Sequence, residues 1–227
     1  MREQIVILTG AGISAESGLG TFRDEGGLWA QHRIEDVATP EGFARDPERV
    51  QRFYNMRRAE AREAAPNAAH FALAALEAVQ DVLVVTQNVD GLHEAAGSKN
   101  VLHMHGSLAR AMCGACAARW DAPLVMQVAD ACPHCAAQAT RPDIVWFGEI
   151  PYGMEEIDAA LQNATLFASI GTSGNVYPAA GFVAEARRLG VRTVELNLEP
   201  SAGYSLFEEA RIGPASETVP KWVAELS

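Results

Sequence analysis

The chain has 227 residues, 48% hydrophobic and 21% charged, enough to bury the core of one large domain or of one domain carrying a smaller insert. Lys plus Arg number 18 against 29 Asp plus Glu, and the net charge of −11 argues against general nucleic-acid or anionic-membrane binding and fits a soluble enzyme. No apolar run approaches the roughly 18 residues of a membrane span, and the N-terminus leads into Ile5-Val-Ile-Leu8, too short for a secretory signal. A cytoplasmic protein is expected, in which paired cysteines point to a metal more than to disulfides.

In chain order, residues 4–9 read as a short buried strand, followed at once by Gly10-Ala-Gly-Ile-Ser-Ala15. Strand, then G-x-G-x-x-A, then helix is the context of a dinucleotide fingerprint. Small residues let the backbone approach a pyrophosphate, and helix N-terminal N–H groups with Ser14 can bind its oxygens. The motif alone is weak, since a simple tight turn also produces it. Where a dehydrogenase would end its second strand in an acidic ribose ligand, this chain reads Thr21-Phe-Arg-Asp-Glu-Gly-Gly-Leu-Trp29, a loop exposing Phe22 and Arg23. Ordinary hydride transfer is therefore disfavoured. Residues 41–64 are helical by pattern, with Pro47 in a first turn. The stripe through Val50, Phe53 and Tyr54, extended by helical spacing, puts Arg57 on the inner face. Asn67 is expected to cap a further helix ending near Val79.

A second buried strand, Val82 to Val85, runs into Thr86-Gln-Asn-Val-Asp-Gly-Leu-His93, continued after a short helix and a small strand by Val101-Leu-His-Met-His-Gly-Ser107. Gln87, Asn88, Asp90 and His105 are polar groups that a strand end does not need, and in a parallel sheet ligands bind beyond the carboxyl ends of strands. Singly, Asn88 and Asp90 can be helix caps and His105 a satisfied core histidine; together, beside the glycine turn, they read as a site. Strand patterns at Leu166–Ile170 and Thr193–Leu196 end in Gly171-Thr-Ser-Gly174 and Asn197-Leu-Glu199, with a helix at about 179–189 between them and a last helix at about 217–226. Segment 108–142 holds all four cysteines, Cys113-x-x-Cys116 and Cys132-x-x-Cys135 with fifteen residues between the pairs. That is zinc-ribbon spacing; two disulfides or a redox CxxC are the alternatives. Four thiolates close a structural site, and His134 is not expected to be a ligand.

Taken together, the chain resembles the sirtuin family of NAD-dependent protein lysine deacylases. The resemblance rests on Gly10-Ala-Gly-Ile-Ser14, Thr21-Phe-Arg23, Thr86-Gln-Asn-Val-Asp90, His103-Met-His-Gly106, the four cysteines, Val145-Trp-Phe-Gly-Glu149, Gly171-Thr-Ser173 and Asn197-Leu-Glu199, in that order. Tyr54-x-x-Arg57, with Thr21 before Phe22-Arg23, resembles class III, the subgroup favouring acidic acyl groups. The resemblance implies an α/β fold: a Rossmann-like, mostly parallel sheet with helices on both faces (1–40, 80–107, 143–227), with a small domain made of a helical insert (41–79) and a four-Cys zinc ribbon (108–142).

It also implies that the NAD co-substrate lies along Gly10, Ala11, Gly12, Ile13, Ser14, Thr21, Phe22, Arg23, Trp29, Gln87, Asn88, Asp90, His105, Gly171, Thr172, Ser173, Asn197, Leu198, Glu199 and Ala215. His105, assisted by Asn88 and Asp90, is implied as the general base that activates a ribose hydroxyl. The acyl group would meet Tyr54 and Arg57, and the substrate peptide would add a strand near Val145, Trp146, Phe147, Gly148 and Glu149. Expected products are free lysine, nicotinamide and O-acyl-ADP-ribose. The expected partners are acylated-lysine proteins or peptides, with no membrane or nucleic acid, and a monomer is favoured. A mono-ADP-ribosyltransferase and a non-catalytic nucleotide-sensing module are the rival readings.

Overall fold

The computed structural model describes residues 2–20 and 32–226. Its strands are β1 (Gln4–Thr9), β2 (Asp81–Thr86), β3 (Val101–His103), β4 (Gly106–Cys113), β5 (Arg119–Asp121), β6 (Thr140–Ile144), β7 (Leu166–Ile170), β8 (Arg192–Asn197) and β9 (Glu209–Ile212). The described helices are α1 (Ala11–Ala15), α2 (Ile34–Val37), α3 (Pro40–Arg45), α4 (Pro47–Glu63), α5 (Ala68–Leu76), α6 (Leu92–Ala95), α7 (Met154–Asn163), α8 (Phe182–Arg188) and α9 (Ala215–Glu225). No described helix is long and apolar enough to cross a membrane.

Six strands form one sheet in the order β3-β2-β1-β7-β8-β9, every neighbouring pair parallel. Strands covered on both faces need apolar residues at successive positions instead of alternate ones, which is why β1 and β2 bury every residue after the first. Ile5, Ile7, Val82 and Val84 pack with Leu73 and Leu76 of α5 and Val219 and Trp222 of α9. Val6, Leu8, Leu83 and Val85 face the other way, against Ile157 and Leu161 of α7 and Val183 of α8. The strand order reverses between β1 and β7, and that switch point is where a doubly wound sheet opens a crevice for ligands.

A separate antiparallel sheet, β5-β4-β6, carries the cysteine segment, and a third cluster joins Val50, Phe53 and Tyr54 of α4 to Leu108, Ile144 and Trp146. The helix expected over 41–64 is two helices. Pro47 disfavours helical backbone at the residue before it, and Asp46 (φ −147°) instead accepts the Arg49 N–H at 2.9 Å as the cap of α4. Asn67 caps α5 as expected, through Ala69 N–H at 3.0 Å, but the helix stops at Leu76.

Candidate active site

The glycine turn after β1 and the turn after β7 meet at the switch point. Gly10 N–H donates to Ile170 O at 3.0 Å and Gly12 N–H to Gly171 O at 2.8 Å. A Cβ on Gly12 would stand 2.7 Å from Gly171 Cα, and Gly171 itself holds φ +63° with Ile13 N 2.4 Å from its would-be Cβ. Glycine is demanded here by two backbones in contact. In this structure the Ser14 hydroxyl donates to Asp90 Oδ2 at 3.2 Å and accepts from Asn88 Nδ2 at 3.1 Å. The Ile13 side chain is fully buried in the core beneath the sheet.

Asn88 and Asp90 sit just beyond β2, each only 8% exposed. Asn88 Nδ2 also donates to Gly10 O at 3.1 Å, and Asp90 Oδ1 accepts Leu92 N–H at 3.1 Å at the start of α6. Burial raises the Asp90 carboxyl above the usual aspartate range, against the lowering effect of its hydrogen bonds and of Arg57. His105 Nδ1 lies 3.2 Å from Gln87 O. A carbonyl only accepts, so Nδ1 carries the proton and Nε2 keeps its lone pair. Burial lowers the His105 pKa, leaving the ring neutral at pH 7. His103, two residues earlier at the end of β3, likewise donates from Nδ1, to Asn88 O at 3.1 Å, but its Nε2 meets Glu94 Oε1 at 2.6 Å, an anionic partner that raises its pKa despite burial.

Beneath these groups Thr86 Oγ1 accepts both the Asn88 N–H at 3.0 Å and the Thr9 hydroxyl at 2.8 Å, and His93 Nε2 lies 3.0 Å from Thr9 Oγ1. His93 stacks edge-on with His70 at 5.0 Å. Burial pushes His70 down to about 4 and His93 down to about 3. The unfolded chain takes up these protons near 6.5 while the native state refuses them, so stability falls as pH drops through that window. Each pH unit below about 6.5 removes up to ~1.4 kcal/mol per histidine. The thermal midpoint is therefore expected to fall steeply between pH 6.5 and 4, less so in a His70→Gln variant; equal slopes for both proteins would refute the assignment.

An open cavity runs past Ala11, Ser14, Gln87, Asn88, Asp90 and His105 to Tyr54, Arg57, Val145 and Phe147. The structure thus brings the expected catalytic and acyl-binding residues to one cavity. The Arg57 side chain is 15% exposed, 4.0 Å from Glu60, and burial lowers its pKa. Thr21, Phe22, Arg23 and Trp29 lie outside the described residues. Of the peptide segment, Phe147 and Gly148 are exposed but Trp146 is 2% exposed. The N–H groups of Val145, Trp146, Phe147 and Glu149 already donate to His105 O, Glu149 Oε2, Ala38 O and Trp146 O. An added strand there would rely on carbonyls and on Gly148.

On the far side of the switch point, Asn197 Nδ2 donates to Thr172 O at 2.7 Å, tying the turn after β8 to the one after β7, and Ser173 O accepts Ala202 N–H at 3.1 Å. Leu198 and Glu199 are exposed, and Ala215 begins α9.

The Sir2 family profile matches residues 10–178. The chain belongs to the Sir2 family. It is 54% identical over 229 residues to a protein of Caulobacter vibrioides and 56% identical over 228 residues to one of Bdellovibrio bacteriovorus, covering 98% of this chain and 96% of each relative; both are named NAD-dependent protein deacylase. Among solved structures, a Sir2 homologue in complex with NAD superposes with a TM-score of 0.90 at 37% identity, covering 98% of this chain and 88% of that one. A Sir2 protein bound to a myristoylated histone peptide superposes with a TM-score of 0.76 at 32% identity, covering 98% and 90%.

In this Sir2 protein the four cysteine Sγ atoms all lie within 4.8 Å of one another, with Cys113–Cys135 at 3.7 Å and Cys116–Cys132 at 3.8 Å. Four thiolates about 2.3 Å from a tetrahedral zinc stand roughly 3.8 Å apart, so the set is compatible with that ion. None of the four is paired in a disulfide. Sequence reasoning missed Arg58 in this Sir2 chain, which is more buried than Arg57. Arg58 Nε donates to Leu108 O at 2.7 Å and Nη1 to Asn55 Oδ1 at 2.9 Å and Leu124 O at 3.3 Å, tying α4 to the cysteine segment. Two adjacent arginines at the edge of an apolar stripe carry no signal saying which one turns inward.

Proposed function

We infer that this Sir2 protein is an NAD-dependent protein lysine deacylase. The observation that carries the reading is His105: its Nδ1–H is committed to Gln87 O, and its unprotonated Nε2 belongs to a ring lining the cavity shared with Asn88, Asp90 and Arg57. A neutral imidazole with one free lone pair can take a proton from a ribose hydroxyl of the NAD co-substrate and hold it as imidazolium. Asn88, oriented by Ser14 and Gly10, and Asp90 offer amide and carboxyl groups to the nicotinamide carboxamide. The turns at Gly10–Ser14, Gly171–Ser173 and Asn197–Glu199 form the remaining cradle, and Zn²⁺ in the four-cysteine set serves shape alone.

The acyl group taken is acetyl or a succinyl-type acid. Arg57 supplies a planar fork of donors that matches a terminal carboxylate, and Tyr54 stands three residues earlier on the same face of α4. Acetyl is too short to reach them. Arg57→Met is therefore expected to lower kcat/KM for a succinyl-lysine peptide about ten- to a hundredfold, the usual worth of hydrogen bonds to a charged group, while deacetylation largely persists. Measuring both peptides with saturating NAD, with products identified by mass, tests the whole reading. Equal losses would make Arg57 structural, and ADP-ribose appearing on protein in place of O-acyl-ADP-ribose would favour the transferase.

A further inference from the structure

Trp146 belongs to the segment expected to meet the substrate peptide, yet its side chain is buried and makes a hydrogen bond that such a contact does not use. The indole Nε1–H donates to the Tyr54 hydroxyl at 2.9 Å. Indole N–H is a donor only, so the phenol oxygen is the acceptor in this pair and its own proton is directed elsewhere. A phenol O–H lies near the plane of its ring, with two orientations about 180° apart. The Trp146 proton disfavours the orientation aimed at it and populates the other. Tyr54 is 4% exposed and lines the cavity beside Arg57.

The indole is in turn held from several sides. Arg141 lies 3.5 Å over its ring, Phe43 packs at 5.2 Å, and its own backbone N–H donates to Glu149 Oε2 at 2.8 Å. Arg141 closes the clamp by gripping Glu149 through two bonds at 2.6 and 2.9 Å. Arg141 and Glu149 bear on one indole, and that indole bears on one hydroxyl.

We propose that Trp146 is a positioning residue for acyl selectivity: it presets the Tyr54 hydroxyl as a donor into the acyl cavity, so that acidic acyl groups are recognised without reordering Tyr54. This rests on the acidic-acyl reading above. An acetyl group makes no use of that donor, so the effect is read in the ratio of the two activities, whatever their common level.

The test is kcat/KM for matched succinyl- and acetyl-lysine peptides on wild type, Trp146→Phe, Tyr54→Phe, the Trp146→Phe/Tyr54→Phe double variant and Arg57→Met. Trp146→Phe is expected to lower the succinyl-to-acetyl ratio about three- to tenfold, the usual worth of one hydrogen bond, and to lower it no further once Tyr54 is Phe. Because Phe leaves a void, 3-benzothienylalanine at position 146, which replaces the indole N–H by sulfur at nearly constant shape, is measured alongside. It decides the matter if the Phe variant fails to fold. An unchanged ratio at position 146 with a lowered ratio in Arg57→Met overturns the role of Trp146 and leaves the acidic-acyl reading intact. An unchanged ratio in both overturns that reading and this inference with it.

Discussion

His105→Ala is expected to reduce deacylation about a hundred- to ten-thousandfold, the usual contribution of a positioned general base, with NAD and acyl peptide both saturating. The fold should survive, because the described tie of this side chain is one hydrogen bond to Gln87 O, while the strand end below is held by Thr86, Thr9 and His93. The wild-type pH profile should agree. Burial lowers the His105 pKa, and a base works only when unprotonated. Activity should therefore rise with pH through a midpoint below the ordinary histidine value of about 6.5 and level off by neutrality. His105→Ala should lose that limb along with its rate. Near-wild-type turnover in the variant, with an unfolding midpoint matching wild type, would remove His105 from the chemistry.

The sheet was legible because strands buried on both faces are continuous apolar runs, and because small or polar residues stand at the carboxyl ends of β1, β2, β7 and β8. Edge strand β9 was not, since Glu209-Ala-Arg-Ile212 is half exposed and carries no apolar run. In β4 the register shifts between Gly106 and Ala111, which blurs the alternation that would announce an antiparallel strand. Residue types at the site could be read from the sequence, but their partners could not. Nothing in Gly10-Ala-Gly-Ile-Ser14 says that Ser14 turns to Asp90, 76 residues away, or that Trp146 meets Tyr54 across 92 residues. Such pairings depend on how strand ends are juxtaposed, which local pattern does not encode.

Loss of the metal site is expected to have the other large effect. Replacing Cys113 or Cys132 by Ser, or stripping the metal with a chelator, should unfold the β5-β4-β6 sheet and abolish activity. Structural zinc contributes roughly 10–16 kcal/mol to folding, as much as the whole stability of an ordinary domain, and a small three-stranded sheet has little to replace it. The consequence reaches the active site along two strands. β4 leads from Cys113 back to Gly106, beside His105, and β6 leads from Thr140 to Ile144, where the Val145 N–H donates to His105 O at 2.9 Å. Arg58 loses the carbonyls of Leu108 and Leu124 at the same time, freeing α4 and with it Tyr54 and Arg57. Metal analysis should give one zinc per chain, and circular dichroism with proteolysis should report loss confined at first to residues 108–142. Metal-free protein that keeps full activity and resists cleavage in that segment would show that the four thiols hold the module without zinc.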